Sequence, residues 1–420
     1  MRTSEGPVIN RRAVLGGAVA AAAGAWLTST EAASATDRVA LAVEAEAARI
    51  DGTLIDLRRD LHAHPEVSGQ EQRTAGVVAA RLRAAGLDVT TGVGGHGVVG
   101  VLTGARPGRT VAYRADMDAV GPQDQIGGGP GPAHLCGHDI HTTVGVGIAE
   151  VLARLRERVA GRVVFLFQPA EESLSGAAAM IADGVLTATR PTEIHALHCG
   201  PFPVGRFATI AGFGMPGQDR GLITLTGDDA AARAQRLATS INSIGTVRRP
   251  STPADLEQLV AYLQTPGGPL ARFVFVQARA AGATVQVASR CWPEHRCTEV
   301  RAEIRRRARA EGPATVDFPK DPFPAMVTPQ REGQALERHL RRSLGTERVM
   351  PLHAAIPFSG EDYALFLDHL PGTYTFLGVR APNTGVETSY PHFATFQPDE
   401  SAIGHGVRAM SGWLLSRTRP

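Results

Sequence analysis

The sequence predicts a layered α/β protein interrupted by a smaller α+β unit. Apolar strand-like runs alternate with helical periodicity through the first half of the chain, a pattern that builds a sheet with helices on both faces. The pattern changes after about Gly212 and resumes near Pro322. Polar residues also gather where the predicted strands end, the edge at which open α/β sheets bind ligands. A length of 420 residues exceeds what one core usually spans and agrees with two domains.

The first 35 residues read as an export signal. A twin arginine, Arg11-Arg12, precedes an apolar run from Ala13 to Leu27 and a small-residue site, Ala33-Ser34-Ala35. The run is too short and too rich in Ala and Gly for a comfortable membrane anchor. The expectation is a twin-arginine signal peptide over 1–35 and a periplasmic or extracellular protein with no membrane partner after processing. An uncleaved anchor is the alternative. The rest divides into a large domain over 36–212 and 322–420 and a satellite over 213–321.

Within 36–212, Arg38 to Glu66 places Leu54, Ile55, Leu57 and Leu61 on one helical face. Glu71 to Val89 is a second helix, stopped at Gly86. "HGVVGVLTG" and "TVAYRADMD" read as strands, and "TTVGVGIAEVLARLRERV" as a helix. "GRVVFLFQPAEE" is a buried strand, "GAAAMIADG" a short helix and "EIHALHCG" another strand. In the satellite, the strands "GLITLTG", "RFVFVQARA" and "ATVQVASRCW" form one open sheet. Helices over Ala230–Ile244, "PADLEQLVAYLQ" and "TEVRAEIRRRARAEG" cover one of its faces. The large domain resumes through "EGQALERHLRRSLG", "SGEDYALFLDHL" and "TYTFLGV" and ends in a last helix, "ESAIGHGVRAMSGWLLSR".

Hydrophobic residues make up 43%, charged residues 20%, and the net charge is +2, so nothing selects nucleic acid as a partner. Of the four cysteines, Cys199 reads as a small buried residue and Cys136 belongs to a polar cluster. Cys291 and Cys297 flank the turn "CWPEHRC". They are either a disulfide, permitted outside the cytosol, or two free thiols, and spacing alone leaves both open.

"HLCGHDIHTT", His134 to Thr143, packs three imidazoles, one thiol and one carboxylate into ten residues. Asp116 and Asp118 end one predicted strand, Glu171 and Glu172 a second, and His195 and His198 a third. Thiolate, imidazole and carboxylate are the ligand set of zinc or a close relative. A structural zinc site closes four ligands, usually with repeated Cys spacings. A mixed set spread over several strands, with a spare carboxylate, favours an open catalytic site. There the cation acidifies water and a carboxylate takes the proton. Adjacent Glu171 and Glu172 point apart, so one ligates and the other serves as base. His134 and His195 read as structural residues. Asp116 and Asp118 are also compatible with capping a turn, and the glutamates with a helix start.

The ordered set "DLRRDLHAHPEVSGQEQRTA", "GVGGHGVVGVLTG", "RADMDAV", "HLCGHDIHTT", "FQPAEES", "LHCGPFPVG", "SGEDYALF" and "PHFATFQPDESAIGHGV" resembles the amidohydrolase group of hippurate hydrolases, bacterial aminoacylases and auxin-conjugate hydrolases. The resemblance covers the large domain on both sides of the satellite. It implies a metallo-aminopeptidase-like catalytic domain and an inserted α+β satellite of the dimerisation or lid type. It also implies two divalent ions, Zn2+ or Mn2+ with Co2+ as a further option. The ligands it implies are Cys136, His138, Glu172, His198 and His392. Glu171 becomes the general base and Asp116 the acid that positions the site. The implied reaction is hydrolysis of a small N-acyl amino acid, in a possible homodimer formed through the satellite.

The satellite departs from that pattern. Relatives carry a histidine soon after the first satellite strand, which stabilises the oxyanion. Here the stretch is "LTGDDAAARAQRLA", without one. Losing such a donor costs ~10²–10³ in turnover. Arg248, Arg249 or His295 could substitute. The alternative is a metal-containing binding protein with little or no hydrolysis. A third reading, an endopeptidase, suits a two-domain cleft for small substrates less well.

Overall fold

The computed structural model describes residues 38–420, and the expected signal peptide lies outside the described residues. No described helix is long and apolar enough to cross a membrane. In chain order the first strands are β1 (Asp88–Val93), β2 (Gly97–Thr103), β3 (Arg106–Asp116), β4 (Ala160–Gln168), β5 (Glu193–Pro203), β6 (Phe207–Thr209) and β7 (Gly214–Met215). There follow β8 (Asp219–Leu225), β9 (Phe273–Ala281), β10 (Thr284–Trp292), β11 (Ala314–Asp317), β12 (Met326–Val327), β13 (Val349–Pro351) and β14 (Gly372–Arg380).

The large sheet has eight strands in the order β1-β2-β4-β3-β5-β14-β6-β13. Its middle quartet, β4-β3-β5-β14, is parallel. These strands read as unbroken apolar runs because helices cover both faces. One face packs under helices Asp51–His62, Gln72–Ala84, His138–Arg154 and Ala402–Arg417. Helix His138–Arg154 is buried along most of its length. A Cβ at its Gly147 would come within 2.6 Å of Val407, so the close crossing with the last helix requires glycine. The other face packs under Gly176–Ala182, Pro253–Leu263 and the short helix Tyr363–Leu367.

The second sheet, β11-β8-β10-β9, is antiparallel throughout. Helices Ala230–Asn242 and Arg296–Glu311 bury Ile223, Val274, Val276, Val285 and Val287 on one face. Strand alternation then puts Arg220, Phe275 and Arg290 on the opposite face. Arg290 stands directly across from Phe275, and Ala288 across from Arg220. The chain enters and leaves this unit beside itself. β7 pairs with β12, and Gln218 forms an isolated bridge with Phe323.

Two expectations are corrected. Helix Pro253–Leu263, read as a cover of the satellite sheet, packs on the large sheet instead. Its Leu256, Leu259, Val260 and Leu263 are buried in the large core with Leu352 and Val386. Burial of each is worth roughly 1.5–3 kcal/mol, enough to hold the helix there. The helix read over Arg38 to Glu66 breaks at 49–50, where Arg49 and Ile50 form a turn. The segment "SGEDYALFLDHL" forms only the short helix Tyr363–Leu367, because Glu361 and Asp362 are drawn into buried polar contacts. Cys291 and Cys297 are both free thiols, the first buried and the second half-buried.

Candidate metal centre

The carboxyl ends of the parallel quartet deliver the polar residues to one place. β3 ends at Asp116 and β4 at Gln168, opposite each other in register. β5 brings His198 beside Phe376 of β14. Glu171 and Glu172 follow β4 after Ala170, whose φ of 55° bends the chain sharply. Cys136 and His138 flank Gly137, the N-cap of helix His138–Arg154, at φ 92°. A Cβ at Gly137 would lie 2.7 Å from Cys199 Sγ, so the turn that sets these two residues requires glycine. His392, itself at φ 68°, is held by its N–H to the Leu135 carbonyl and by its carbonyl to Ile126 N–H.

Three histidines present the same nitrogen to the same space. His198 Nδ1–H donates to the Cys199 carbonyl at 2.7 Å, leaving its Nε2 3.4 Å from Cys136 Sγ. His138 Nδ1–H donates to Asp118 at 3.2 Å. Its Nε2 is buried without a hydrogen-bond partner among the described residues, 3.8 Å from a carboxylate oxygen of each of Asp116, Glu171 and Glu172. His392 Nδ1–H donates to the Asp124 carbonyl at 3.2 Å, and its Nε2 lies 3.4 Å from Glu172. A donor on Nδ1 fixes the tautomer and leaves the Nε2 lone pair free.

Of the groups whose donor atoms lie within 4.8 Å of one another, two contain the Cys136 thiol, Cys136–His138–His198 and Cys136–Glu172–His392. The Cys136 sulfur belongs to both. An orphaned imidazole nitrogen, an orphaned Glu172 oxygen and a shared thiol are what two cations need and what an apolar core would not tolerate. His141, also in the cluster, is excluded as a donor. Its Nδ1–H goes to Asp116 at 2.6 Å and its Nε2 accepts the Cys199 N–H at 2.7 Å, so no lone pair remains.

The acids divide differently from expectation. Asp116 was read as the acid that positions the site. Its oxygens face Arg114 and His141, at 2.6 Å each. The carboxylate on the His138 ring is that of Asp118, which also accepts the Glu172 N–H at 2.9 Å and the Ser68 hydroxyl at 2.7 Å. Asp118 therefore ties a histidine to the glutamate pair. Glu71 does similar work by accepting the Ala170 N–H at 2.8 Å, just before Glu171. His195 lies outside the cluster, bonded to Thr373 at 2.9 Å. His134 is buried with neither nitrogen partnered, and burial pushes its imidazole down to about 4.

Glu171 sits on the far side, next to a buried charge network. Arg114, fully buried, donates to Gln168, Asp116, Glu361 and Asp362 at 2.6–3.2 Å. Glu361 also accepts the Tyr374 hydroxyl at 2.7 Å. Carboxylate oxygens of Glu171, Glu361 and Asp362 approach within 4.8 Å. Burial, then the charges of Glu361 and Glu172, push the Glu171 carboxyl well above its usual range, and burial lifts Asp362 to about 7. A cation beside Glu171 acts in the opposite sense. The satellite reaches this corner too. The Arg290 guanidinium lies against Gly360, where a Cβ would sit 2.6 Å from its Nη1.

Fold and site together are those of a metallohydrolase. The model of peptidase family M20/M25/M40 matches residues 112–416, well over half of the chain. The chain belongs to that family and is a hydrolase acting on amide bonds. A Synechocystis protein named a hydrolase is 31% identical over 85% of this chain and 94% of its own length. The N-acetyldiaminopimelate deacetylase of Enterococcus faecalis is 27% identical over 86% and 97%. Among solved structures, the Bacillus subtilis YXEP protein, described as a dinuclear metal binding peptidase from the M20 family, aligns with a TM-score of 0.67. It is 25% identical over 88% of this chain and 98% of that one.

Proposed function

We propose that this chain is a two-metal amidohydrolase that cleaves small N-acyl amino acids into a carboxylic acid and an amino acid. One observation supports it most. Three histidine Nε2 lone pairs, all set free by Nδ1 donors, meet one thiol and one carboxylate beside a second, uncommitted carboxylate. Cys136, His138 and His198 would hold one ion and Cys136, Glu172 and His392 the other. Zn2+ or Mn2+ fits this mixed set, with Co2+ a further option. When bound, the ions polarise the amide carbonyl and acidify water. Glu171 then takes the proton from water and passes it to the departing amine nitrogen. Asp118 keeps the His138 ring oriented, and the Arg114 network fixes the walls around Glu171.

Arg290 answers the missing satellite histidine better than the other candidates. Its guanidinium reaches the Gly360 backbone beside Glu361, while the side chains of Arg248, Arg249 and His295 make no hydrogen bond or ion pair with the cluster residues among the described residues. Arg290 would then supply the positive charge toward the developing oxyanion that the missing histidine gives in relatives. Export by the twin-arginine route and pairing of two chains through the satellite belong to the same proposal, supported by the sequence alone.

The test is hydrolysis of N-acetyl, N-benzoyl and N-indoleacetyl amino acids after chelation and after adding back zinc, manganese or cobalt. Metal-restored release of free amino acid is expected. Glu171→Gln should cut turnover by at least about 10²-fold while metal content stays at the wild-type level. No turnover from the metal-loaded wild type on any substrate would favour the binding-protein reading instead.

A further inference from the structure

The satellite holds a pair of thiols that the metal centre does not use. Cys291 is the penultimate residue of β10, and Cys297 is the second residue of helix Arg296–Glu311. Strand alternation puts Val285, Val287 and Cys291 on the sheet face that the helices cover, and all three are buried there. Helical spacing puts Cys297, Val300, Ile304 and Ala308 on one face. The last three are buried in the same core, and Cys297 packs against it. The turn between strand and helix is closed by the Arg296 N–H on the Pro293 carbonyl and the Cys297 N–H on the Glu294 carbonyl, both at 3.0 Å. The strand end and the helix start therefore turn their two thiols toward each other across one short turn.

The two sulfurs differ in reach and in acidity. Cys291 is buried, whereas Cys297 is half-buried. Cys297 lies in the first turn of a helix of 16 residues, where free N–H groups and the positive end of the dipole favour a thiolate. A hydrogen bond with Cys291 is the largest influence on the Cys297 thiol and holds it below its ordinary range. The same contact, then burial, pushes the Cys291 thiol up. Neither sulfur belongs to a group of three metal donors among the described residues, which separates the pair from Cys136. A reachable, acidic thiol beside a buried, less acidic one gives thiol–disulfide exchange a fixed order of attack.

We propose that Cys291 and Cys297 form a redox-active dithiol, which a small-molecule disulfide oxidises to an intramolecular bridge that staples the end of β10 to helix Arg296–Glu311. The Cys297 thiolate attacks one sulfur of the small disulfide. That S–S bond breaks, a mixed disulfide forms on Cys297, and a small thiolate departs with the electron pair. The departing thiolate takes the proton of Cys291. The Cys291 thiolate then attacks the Cys297 sulfur and expels the second small thiolate, which is protonated by the proton that Cys297 first gave up. The two protein thiols are oxidised, and the small disulfide is reduced to two thiols. Arg290 precedes Cys291 in β10, so the bridge also anchors the strand end that carries the guanidinium against Gly360.

The experiment equilibrates the metal-loaded protein with mixtures of reduced and oxidised glutathione, alkylates the remaining thiols and maps the cysteines by peptide mass spectrometry. The expected result is one linked peptide that joins Cys291 to Cys297, with Cys136 and Cys199 unlinked. In Cys291→Ser the glutathione adduct should collect on Cys297 at least about tenfold faster than it collects on Cys291 in Cys297→Ser. The oxidised wild type should melt at a higher temperature than the reduced one, and the gap should vanish in the Cys291→Ser, Cys297→Ser double variant. Two free thiols at every glutathione ratio would overturn the proposal in the wild type alone, as would a bridge to Cys136 or Cys199. An adduct that forms on Cys291 as fast as on Cys297 would overturn the order of attack. A bridge that leaves the melting temperature unchanged would overturn the staple.

Discussion

The ring nitrogen that faces Asp118 decides what His138 does. With Nδ1–H committed to that carboxylate, Nε2 is a lone pair aimed at the cluster. Asp118→Ala should lower metal affinity by about 10–100-fold with little change in fold, checked by metal titration of the purified protein and by circular dichroism. At this scale the sequence showed the donor types but not their hydrogen bonds. "RADMD" offers two acids, and the choice between them depends on where β3 turns away. The Met117 N–H still bonds the Gln168 carbonyl at 2.9 Å, so Asp118 clears the sheet and reaches His138. His141 looks like a ligand in the sequence and is ruled out only by the Cys199 N–H on its second nitrogen. Arg114 was invisible for another reason. Its partners Glu361 and Asp362 lie 247 and 248 residues away. A buried arginine with three carboxylates has no local signature, although "SGEDY" was already a quoted motif.

Elements were most legible where burial leaves no choice. β4 and β5 appear in the sequence as apolar runs bounded by polar residues, because both of their faces are covered. The short strands β6 and β13, three residues each, carry too short a pattern to read. Helix Pro253–Leu263 was legible as a helix, with Thr252 and Asp255 forming a capping box, but its destination was not. An apolar stripe states that a face is buried, never against what. The start of helix His138–Arg154 yields a sharper expectation. Gly137→Ala forces a side chain into left-handed backbone, costing about 1–2 kcal/mol, and drives its methyl toward Cys199. Metal occupancy should fall together with the melting temperature, because the same turn sets Cys136 and His138. Unchanged occupancy in elemental analysis would show that the turn adapts.

For the whole molecule, the interruption of one sheet by another was legible from the change in pattern, and the return of helix Pro253–Leu263 to the large sheet was not. Stability against acid belongs to this scale. His339 packs edge-on against Trp413, 5.2 Å between ring centroids, where helix Gln330–Leu344 meets the last helix. Burial pushes this imidazole from its ordinary 6.5 down to about 4. Between those values the unfolded chain binds a proton that the folded one refuses. The contribution is therefore complete above pH 6.5 and is lost as the pH falls toward 4, by at most about 3 kcal/mol. His339→Leu should flatten that part of the stability profile in urea melts taken across the window. A slope identical to wild type would place the acid sensitivity elsewhere.

The route of the chain between the two sheets has a mechanical consequence. It crosses between them four times, in two laced pairs. One pair is bound by the β7–β12 ladder and the Gln218–Phe323 bridge. The other runs to and from helix Pro253–Leu263, laced by Thr246 and Val247 N–H groups on the Val274 carbonyl. A panel hung on a single strap can twist in any direction. A panel hung on two hinges keeps one degree of freedom, a swing about the line that joins them. Arg249 lies within three residues of the second hinge, while Arg290 rides on the leaf itself. A swing therefore carries Arg290 through an arc toward or away from Glu171 while Arg249 stays nearly still, so closing the leaf changes the distance between the two cations as well as the width of the gap.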